Sequence, residues 1–208
     1  MFMERISEKF NSNEPFFTEE IMGLFQEYSR VQVFRYIKKA REKKEILQFS
    51  KGVYYIPSVT FWGGLSTITA DSVIEKKYLR SAGETYGVFG GIKLLNNFSL
   101  TTQLPAVIEV VTNRESMRCR EIDINGRKFI LRKSRCEINK NNYAAYTVLQ
   151  LFNDFTGQVA LNDDSKRRLL EYIQKQEVTG KQLLGLSVEF PARTTQRLIK
   201  SGVINEIA

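Results

Sequence analysis

The side chains best suited to chemistry in this 208-residue chain are the bases and amides between residues 29 and 52. That segment holds eight bases against two acids, a net charge of +6. Arginine can form two hydrogen bonds with guanine and glutamine can do the same with adenine, whereas lysine commonly meets phosphate oxygens. The segment therefore predicts contact with DNA. We expect Arg30, Gln32, Arg35 and Lys39 to face base edges, and Lys38, Lys43 and Lys51 to bind phosphates.

A helix from Ser29 to about Lys44 is predicted to carry most of these side chains. Ser29 and Gln32 form a capping-box pair, which is a signature of a helix N-terminus. At 100° per residue, one side of this helix is apolar and the other is basic, so one face should pack and the opposite face should be exposed. The apolar side holds Val33, Phe34, Ile37 and Ala40, and the opposite side holds Gln32, Arg35, Lys38, Lys39 and Glu42.

The elements around this helix predict a winged helix-turn-helix domain over residues 1–57. Residues 2–10 have the spacing of a short helix, and Thr18 is placed to cap a second helix. Two β-rich runs, 46–49 and 53–56, flank a turn at Lys51-Gly52 and predict a hairpin. In such a domain the third helix lies in the major groove and the hairpin forms the wing. The alternative is a protein-interaction module whose basic helix is simply a solvated face.

Composition excludes several classes of function. Histidine is absent, which removes Ser-His-Asp and Cys-His catalysis and most zinc sites. Two cysteines cannot build a disulfide framework, and no apolar run approaches the roughly 18 residues of a membrane span. The formal net charge of +8 favours anionic partners. We therefore expect a cytoplasmic protein without an enzymatic role, with no metal, cofactor or membrane partner.

The rest of the chain predicts an α+β organisation. Residues 58–70, with Phe61 and Trp62, are interpreted as a linker anchored by those two aromatics. Residues 71–208 are predicted to form a larger α/β domain with a small, mostly antiparallel sheet followed by C-terminal helices. Residues 106–112 form the strongest predicted strand. Asn125-Gly126 predicts a hairpin in which Ile124 faces Arg127 and Ile122 faces Phe129.

Three further patterns in the larger domain could carry chemistry. Gly87, Gly90 and Gly91 invite a phosphate-loop interpretation, but their spacing fits neither nucleotide-binding motif and favours close packing. Residues 114–140 hold nine bases against four acids, a net charge of +5, which predicts either a second anion-binding patch or an ordinary polar hairpin face. Carboxylates could also hold a divalent metal of a nuclease. The residues for that alternative are Glu109, Glu121, Asp123 and Lys128.

The order of features resembles the AbiEi-type antitoxins, which are transcriptional regulators of type IV toxin–antitoxin systems. The resemblance is carried by Lys51-Gly52-Val53-Tyr54-Tyr55-Ile56-Pro57, by the stretch from Tyr86-Gly87 to Leu104-Pro105, by Val111-Thr112-Asn113 and by Pro191-Ala192-Arg193. It is densest over residues 52–113. It implies a repressor that binds inverted repeats in the promoter of its own operon. It also implies a second domain that counters a nucleotidyltransferase-like toxin encoded alongside, with or without direct contact.

Two other functions remain open at this point. One is a metal-dependent nuclease that a winged helix targets to DNA. The other is a transcriptional regulator whose larger domain senses a ligand, for which a deep apolar cavity within residues 65–208 would be the expected feature.

Overall fold

The computed structural model describes residues 2–155 and 161–207. The chain divides into two compact units, Met1–Lys76 and Lys77–Ala208. Both units mix helices with small sheets, which agrees with the α+β class. Among the described residues, no helix has the length and apolar character needed to cross a membrane.

In the first unit, the described residues form four α-helices and a three-stranded sheet. The helices are α1 (Phe2–Lys9), α2 (Thr18–Leu24), α3 (Arg30–Glu42) and α4 (Ala70–Ile74), and the strands are β1 (Phe16–Phe17), β2 (Leu47–Ser50) and β3 (Val53–Tyr55). The sheet order is β1-β3-β2, and both pairings are antiparallel. Apolar side chains from α1, β1, α2 and α3 form one core, in which the rings of Phe10 and Phe16 stack at 4.6 Å.

The predicted hairpin and the capping box of α3 are confirmed, while three details of this unit differ from prediction. Phe17, not Thr18, precedes α2, and its N–H is donated to Glu20 at 2.8 Å. Phe34 is 40% exposed instead of buried, because it lies at the edge of the apolar stripe. The two-residue strand β1 was not predicted, since it is too short to show an alternating pattern.

Residues 58–76 belong to the first unit, so the division falls later in the chain than the sequence placed it. Ser58 donates its N–H to the Ser66 hydroxyl at 2.8 Å, which folds this stretch back on itself. Phe61 and Trp62 are 95% and 90% exposed, so the expectation that these aromatics anchor a linker was wrong. Lys76, just after α4, forms ion pairs with Glu14 at 2.7 Å and Glu20 at 3.4 Å, contacts that hold the segment after α4 within the unit.

The second unit is built on a four-stranded sheet of order β6-β7-β9-β8. Its strands are β6 (Gly87–Gly90), β7 (Val107–Thr112), β8 (Arg120–Ile124) and β9 (Arg127–Lys133), preceded by a short pair, β4 (Arg80–Ser81) and β5 (Glu84–Thr85). The central β7–β9 pair is parallel and the two outer pairs are antiparallel. The hairpin prediction is confirmed, since Ile124 pairs with Arg127 and Ile122 with Phe129, with left-handed φ angles at both turn residues.

Helices of the second unit share one large core. They are α5 (Gly91–Asn97), α6 (Tyr143–Asp154), α7 (Asp163–Lys175), α8 (Gly180–Ser187), α9 (Ala192–Lys200) and α10 (Val203–Glu206). The buried face of α6 includes Tyr146, Leu149 and Phe152, which pack with residues of β6, β7 and the later helices. A π-helical turn over Glu75–Leu79 precedes β4. Thr69 caps the N-terminus of α4 in the first unit, and Asn162 caps that of α7.

Candidate nucleic-acid interface

Helix α3 turns its apolar residues inward and leaves its bases in solvent. Val33, Ile37 and Ala40 are buried, with exposed fractions of 0%, 2% and 3%. All seven residues predicted to contact DNA are exposed. We call this set the α3 surface, and it consists of Arg30, Gln32, Arg35, Lys38, Lys39, Lys43 and Lys51. Burial of one stripe therefore fixes the orientation of the basic stripe.

Most cations of the α3 surface have no carboxylate partner in the part of the chain that the structure describes. Lys38 lies 3.9 Å from Glu42, one turn along the helix, and within residues 2–155 and 161–207 it is the one member of the set with an ion pair. The guanidinium of Arg30 lies over the ring of Phe34 at 5.7 Å. Since an unpaired surface cation can neutralise a phosphate without first breaking another contact, these charges are available to an anionic partner.

Gln32 has a second role that limits its use in base recognition. Its side-chain Oε1 accepts the backbone N–H of Ser29 at 2.9 Å, and its backbone N–H is donated to the Ser29 hydroxyl at 3.3 Å. Pairing with adenine requires the amide to donate and accept together. The side chain would therefore have to leave the capping box before it could contact a base in that manner.

The exposed part of α3 also contains groups that the sequence analysis did not assign. Val31 is 68% exposed and Phe34 is 40% exposed, beside Arg30 and Arg35. Apolar groups at such positions can contact the methyl group of thymine. Arg41 and Lys44 are exposed as well, and neither forms an ion pair within the described part of the chain. Exposed apolar residues within a basic stripe are the signal that could have identified this surface more fully.

The β2–β3 hairpin places Lys51 at an exposed turn. Gly52, which follows it, has a φ of +76°, a backbone conformation that residues other than glycine rarely adopt. A Cβ at this position would also lie 3.2 Å from the Thr18 hydroxyl. The turn is thus fixed by both backbone conformation and space, and it presents Lys51 to solvent.

The basic segment 114–140 of the second unit is organised differently. Arg120 pairs with Glu115 at 2.8 Å, Lys128 with Glu121 at 3.4 Å, and Arg132 with Glu109 at 2.6 Å. The hydrogen bond to Glu109 raises the pKa of Arg132 despite the opposing effect of partial burial. These three bases therefore neutralise carboxylates of their own unit.

Two of the carboxylates considered as metal ligands of a nuclease, Glu109 and Glu121, are the acids in these ion pairs. Glu109 and Glu121 both lie opposite Ile130, on the two sides of β9, which separates them by two strand spacings of about 4.8 Å each. Asp123 accepts the N–H of Gly126 at 2.8 Å. Within the described residues, no three side chains of the metal-binding types lie close enough together to hold an ion.

The glycines of β6 serve close packing. A Cβ on Gly87 would lie 2.1 Å from the carbonyl oxygen of Tyr78. The N–H of Gly91, which a phosphate loop would direct at its ligand, is donated instead to the carboxylate of Asp154 at 2.7 Å. A nucleotide site of the phosphate-loop type is therefore not formed at this turn.

Comparison with known proteins finds no matching family model and no matching curated sequence. The resemblance to AbiEi-type antitoxins consequently stays a prediction from residues 51–113 and 191–193. The α3 surface presents seven exposed polar and basic side chains, which lie on one helix, on the residue that follows it and on the adjacent hairpin.

Proposed function

We propose that the first unit is a winged helix-turn-helix module that binds double-stranded DNA through the α3 surface. The observation that carries the proposal is the exposed stripe of cations on α3, of which Arg35, Lys39 and Lys43 have no ion pair among the described residues. Such a stripe supplies the electrostatic attraction on which DNA affinity depends. Arg30 and Arg35 add the forked donors that guanine accepts.

The order of elements supports this assignment. The chain runs α1-β1-α2-α3-β2-β3, and the strand β1 between the first two helices pairs with the hairpin in the order β1-β3-β2. A helix-turn-helix places its recognition helix after a supporting helix. Here α2 precedes and contacts α3, and the hairpin that would act as the wing follows α3 and exposes Lys51.

The proposal extends to transcriptional repression and to an antitoxin role for the second unit. Its support is the resemblance carried by residues 52–113 and Pro191-Ala192-Arg193, which implies binding to inverted repeats of its own promoter. The cognate partner would be a nucleotidyltransferase-like toxin that the second unit counters. The carboxylates of the nuclease alternative are occupied by arginine, lysine and backbone partners, which favours a binding protein over that enzyme.

Substitution of two unpaired cations tests DNA binding by the α3 surface. Arg35→Ala with Lys39→Ala should weaken binding to the promoter duplex and reduce the slope of log affinity against log salt by up to roughly two, because each cation removed from the interface lowers the number of counterions released on binding, which removes about 0.9 from the slope. The measurement is fluorescence anisotropy over a series of salt concentrations. Lys140→Ala with Lys181→Ala removes the same charge from exposed positions of the second unit and serves as the control. Equal slopes for all three proteins would refute the assignment of the α3 surface.

The same double variant separates repression from the antitoxin role. If the two units act independently, full-length protein with Arg35→Ala and Lys39→Ala should lose repression of its operon and still protect cells from the neighbouring toxin. A promoter–reporter assay and a growth assay with induced toxin measure the two activities. Failure of the unaltered chain to protect cells would remove the antitoxin role and leave the DNA-binding proposal standing.

A further inference from the structure

The second unit contains a polar cleft of about 710 Å³ that none of the functions above uses. Its walls come from segments far apart in the sequence, including β7, the end of β9, α6 and the first turn of α9. The cations that line it are Arg118, Arg132, Lys133, Arg135 and Arg193. A volume of this size is typical of pockets that hold nucleotide-sized ligands, which range over roughly 300–1,000 Å³.

The cleft keeps an excess of positive charge after its internal contacts are counted. Two carboxylates, those of Glu109 and Asp154, line it against five cations, a net of +3. Glu109 is bound to the guanidinium of Arg132 at 2.6 Å. Asp154 accepts three N–H groups, from Gly91 at 2.7 Å, Gln150 at 2.8 Å and Asn153 at 3.0 Å. Both carboxylates are thus already engaged.

The four remaining cations are not matched to acids of the described chain. Arg118, Lys133, Arg135 and Arg193 form no ion pair within the residues that the structure describes, although Arg135 lies 5.4 Å from the centre of the Phe190 ring. They come from the segments before β8, at the end of β9, after β9 and at the start of α9. Unpaired like charges that converge on one concavity repel each other, and an anion bound between them relieves that repulsion.

The inner wall of the cleft supplies buried polar groups. Tyr146 is 0% exposed and Gln150 is 5% exposed. The Tyr146 hydroxyl accepts the backbone N–H of Arg135 at 3.0 Å, and among the described residues no acceptor receives its proton. Burial raises the pKa of Tyr146 to about 12, so the hydroxyl keeps that proton at neutral pH. The side-chain oxygen of Asn153 is also buried, and none of the described residues donates a hydrogen bond to it.

We propose that this cleft binds a compact polyphosphate, such as the phosphate chain of a nucleoside di- or triphosphate. Guanidinium and ammonium groups on several sides would contact the phosphate oxygens, with the Tyr146 hydroxyl as an additional donor from the inner wall. The buried carbonyl oxygen of Asn153 could accept an N–H or O–H from the remainder of the ligand. A concave site with a buried wall fits a short phosphate chain better than a continuous duplex, which needs an open surface.

Binding of two defined probes tests the proposal on the full-length protein. Inorganic tripolyphosphate and ATP are titrated into the unaltered protein and into a variant carrying Lys133→Gln and Arg193→Gln, two exposed cations of the cleft. The unaltered protein should bind both probes saturably. The variant should bind them about tenfold or more weakly, because it loses two charge-assisted contacts. Tighter binding of ATP than of tripolyphosphate would show that the nucleoside also contacts the cleft.

Two controls separate the cleft from general attraction to a basic protein. Lys140→Gln with Lys181→Gln removes equal charge elsewhere on the second unit and should leave both affinities within about twofold. The Arg35→Ala and Lys39→Ala variant should also bind the probes normally. The proposal is overturned if neither probe binds saturably, or if either control weakens probe binding as much as the cleft variant does. It is also overturned if the cleft variant binds duplex DNA more weakly but binds both probes as well as the unaltered protein does. Tyr146→Phe, checked for folding by circular dichroism, should weaken the binding of both probes, by a smaller factor than the cleft variant does.

Discussion

Two segments of this chain carry nearly the same net charge, but the second pairs more of its bases with carboxylates. Residues 29–52 have a net charge of +6 and residues 114–140 a net charge of +5. On α3, acids are too few to match the bases, and Lys38 with Glu42 is the one ion pair recorded in that segment of the described chain. In the β8–β9 hairpin, cross-strand neighbours bring Glu121 to Lys128. The comparison shows that the number of cations available to a partner depends on where the acidic residues lie. The net charge of a segment does not contain that information.

The largest expected effect concerns the most buried ion pair of the second segment. Glu115 is 4% exposed and accepts hydrogen bonds from the Met117 N–H at 3.0 Å and from Arg120 at 2.8 Å. Glu115→Ala should lower the free energy of unfolding by about 2 kcal/mol, since hydrogen bonds to charged groups contribute roughly 1.5–3 kcal/mol. Urea unfolding followed by circular dichroism measures the change.

A nearby glutamate provides the matched control for this variant. Glu137 is exposed, and its side chain has no recorded partner within the described residues. Glu137→Ala should change the free energy of unfolding by less than about 0.5 kcal/mol. If both variants lost equal stability, pairing would not be what distinguishes the second segment from α3.

The next effect compares one lysine from each segment in DNA binding. Lys43 follows α3 without an ion pair in the described structure, whereas Lys128 lies 3.4 Å from Glu121. Lys43→Ala should weaken duplex binding about eightfold at 0.1 M salt, which is the loss of one phosphate contact. Lys128→Ala should weaken it by less than about twofold. Anisotropy titrations at matched salt measure both, and equal losses would mean that the sheet also contacts DNA.

The smallest effect is the pH dependence of the Glu115 contribution. Burial by itself would raise the pKa of Glu115, but hydrogen bonds from Met117 and Arg120 outweigh burial, so its pKa in the folded protein is lowered. A carboxyl with a lowered folded-state pKa stabilises the fold above its unfolded pKa of about 4.3, and this contribution is lost as pH falls through the lowered value. The stability difference between the unaltered protein and Glu115→Gln should therefore be full above about pH 5 and shrink below pH 4.

Urea unfolding at a series of pH values gives that difference directly. Other carboxyls with lowered pKa values, including Glu14 and Asp164, contribute to acid sensitivity in both proteins and cancel in the comparison. A difference that stayed constant down to pH 3 would show that hydrogen bonding to the neutral side chain, not its charge, explains the stability.

Short sequence motifs correctly predicted those elements whose geometry depends on residues close together in the chain. The start of α3 follows from the hydroxyl and amide of Ser29 and Gln32, and the β8–β9 register follows from Asn125-Gly126, whose left-handed φ angles suit a tight turn. Phe34 was assigned to the core because a helical wheel gives the direction of a residue and not the width of the buried stripe. The parallel β7–β9 pair joins residues about twenty apart, and no turn motif specifies it.

The two candidate sites differ in the same respect, which is how far apart their residues lie in the sequence. The α3 surface could be predicted because its members lie on one helix and the adjoining hairpin, within 22 residues of each other. The polyphosphate cleft could not, because Arg118, Tyr146 and Arg193 meet only when the sheet, α6 and α9 have packed. The pairing of Arg132 with Glu109 likewise depends on the parallel strand neighbours, so the sequence overstated the free charge of residues 114–140.

The turn that carries Phe61 and Trp62 has a practical consequence for spectroscopy. Trp62 is the single tryptophan of the chain and is 90% exposed, in edge contact with the Phe61 ring at 5.4 Å. Its indole is already surrounded by water in the native protein, so its emission should barely shift when the chain is denatured. The same fluorophore is well placed to report an encounter at residues 58–66, since dehydration of that turn would move its emission toward the blue.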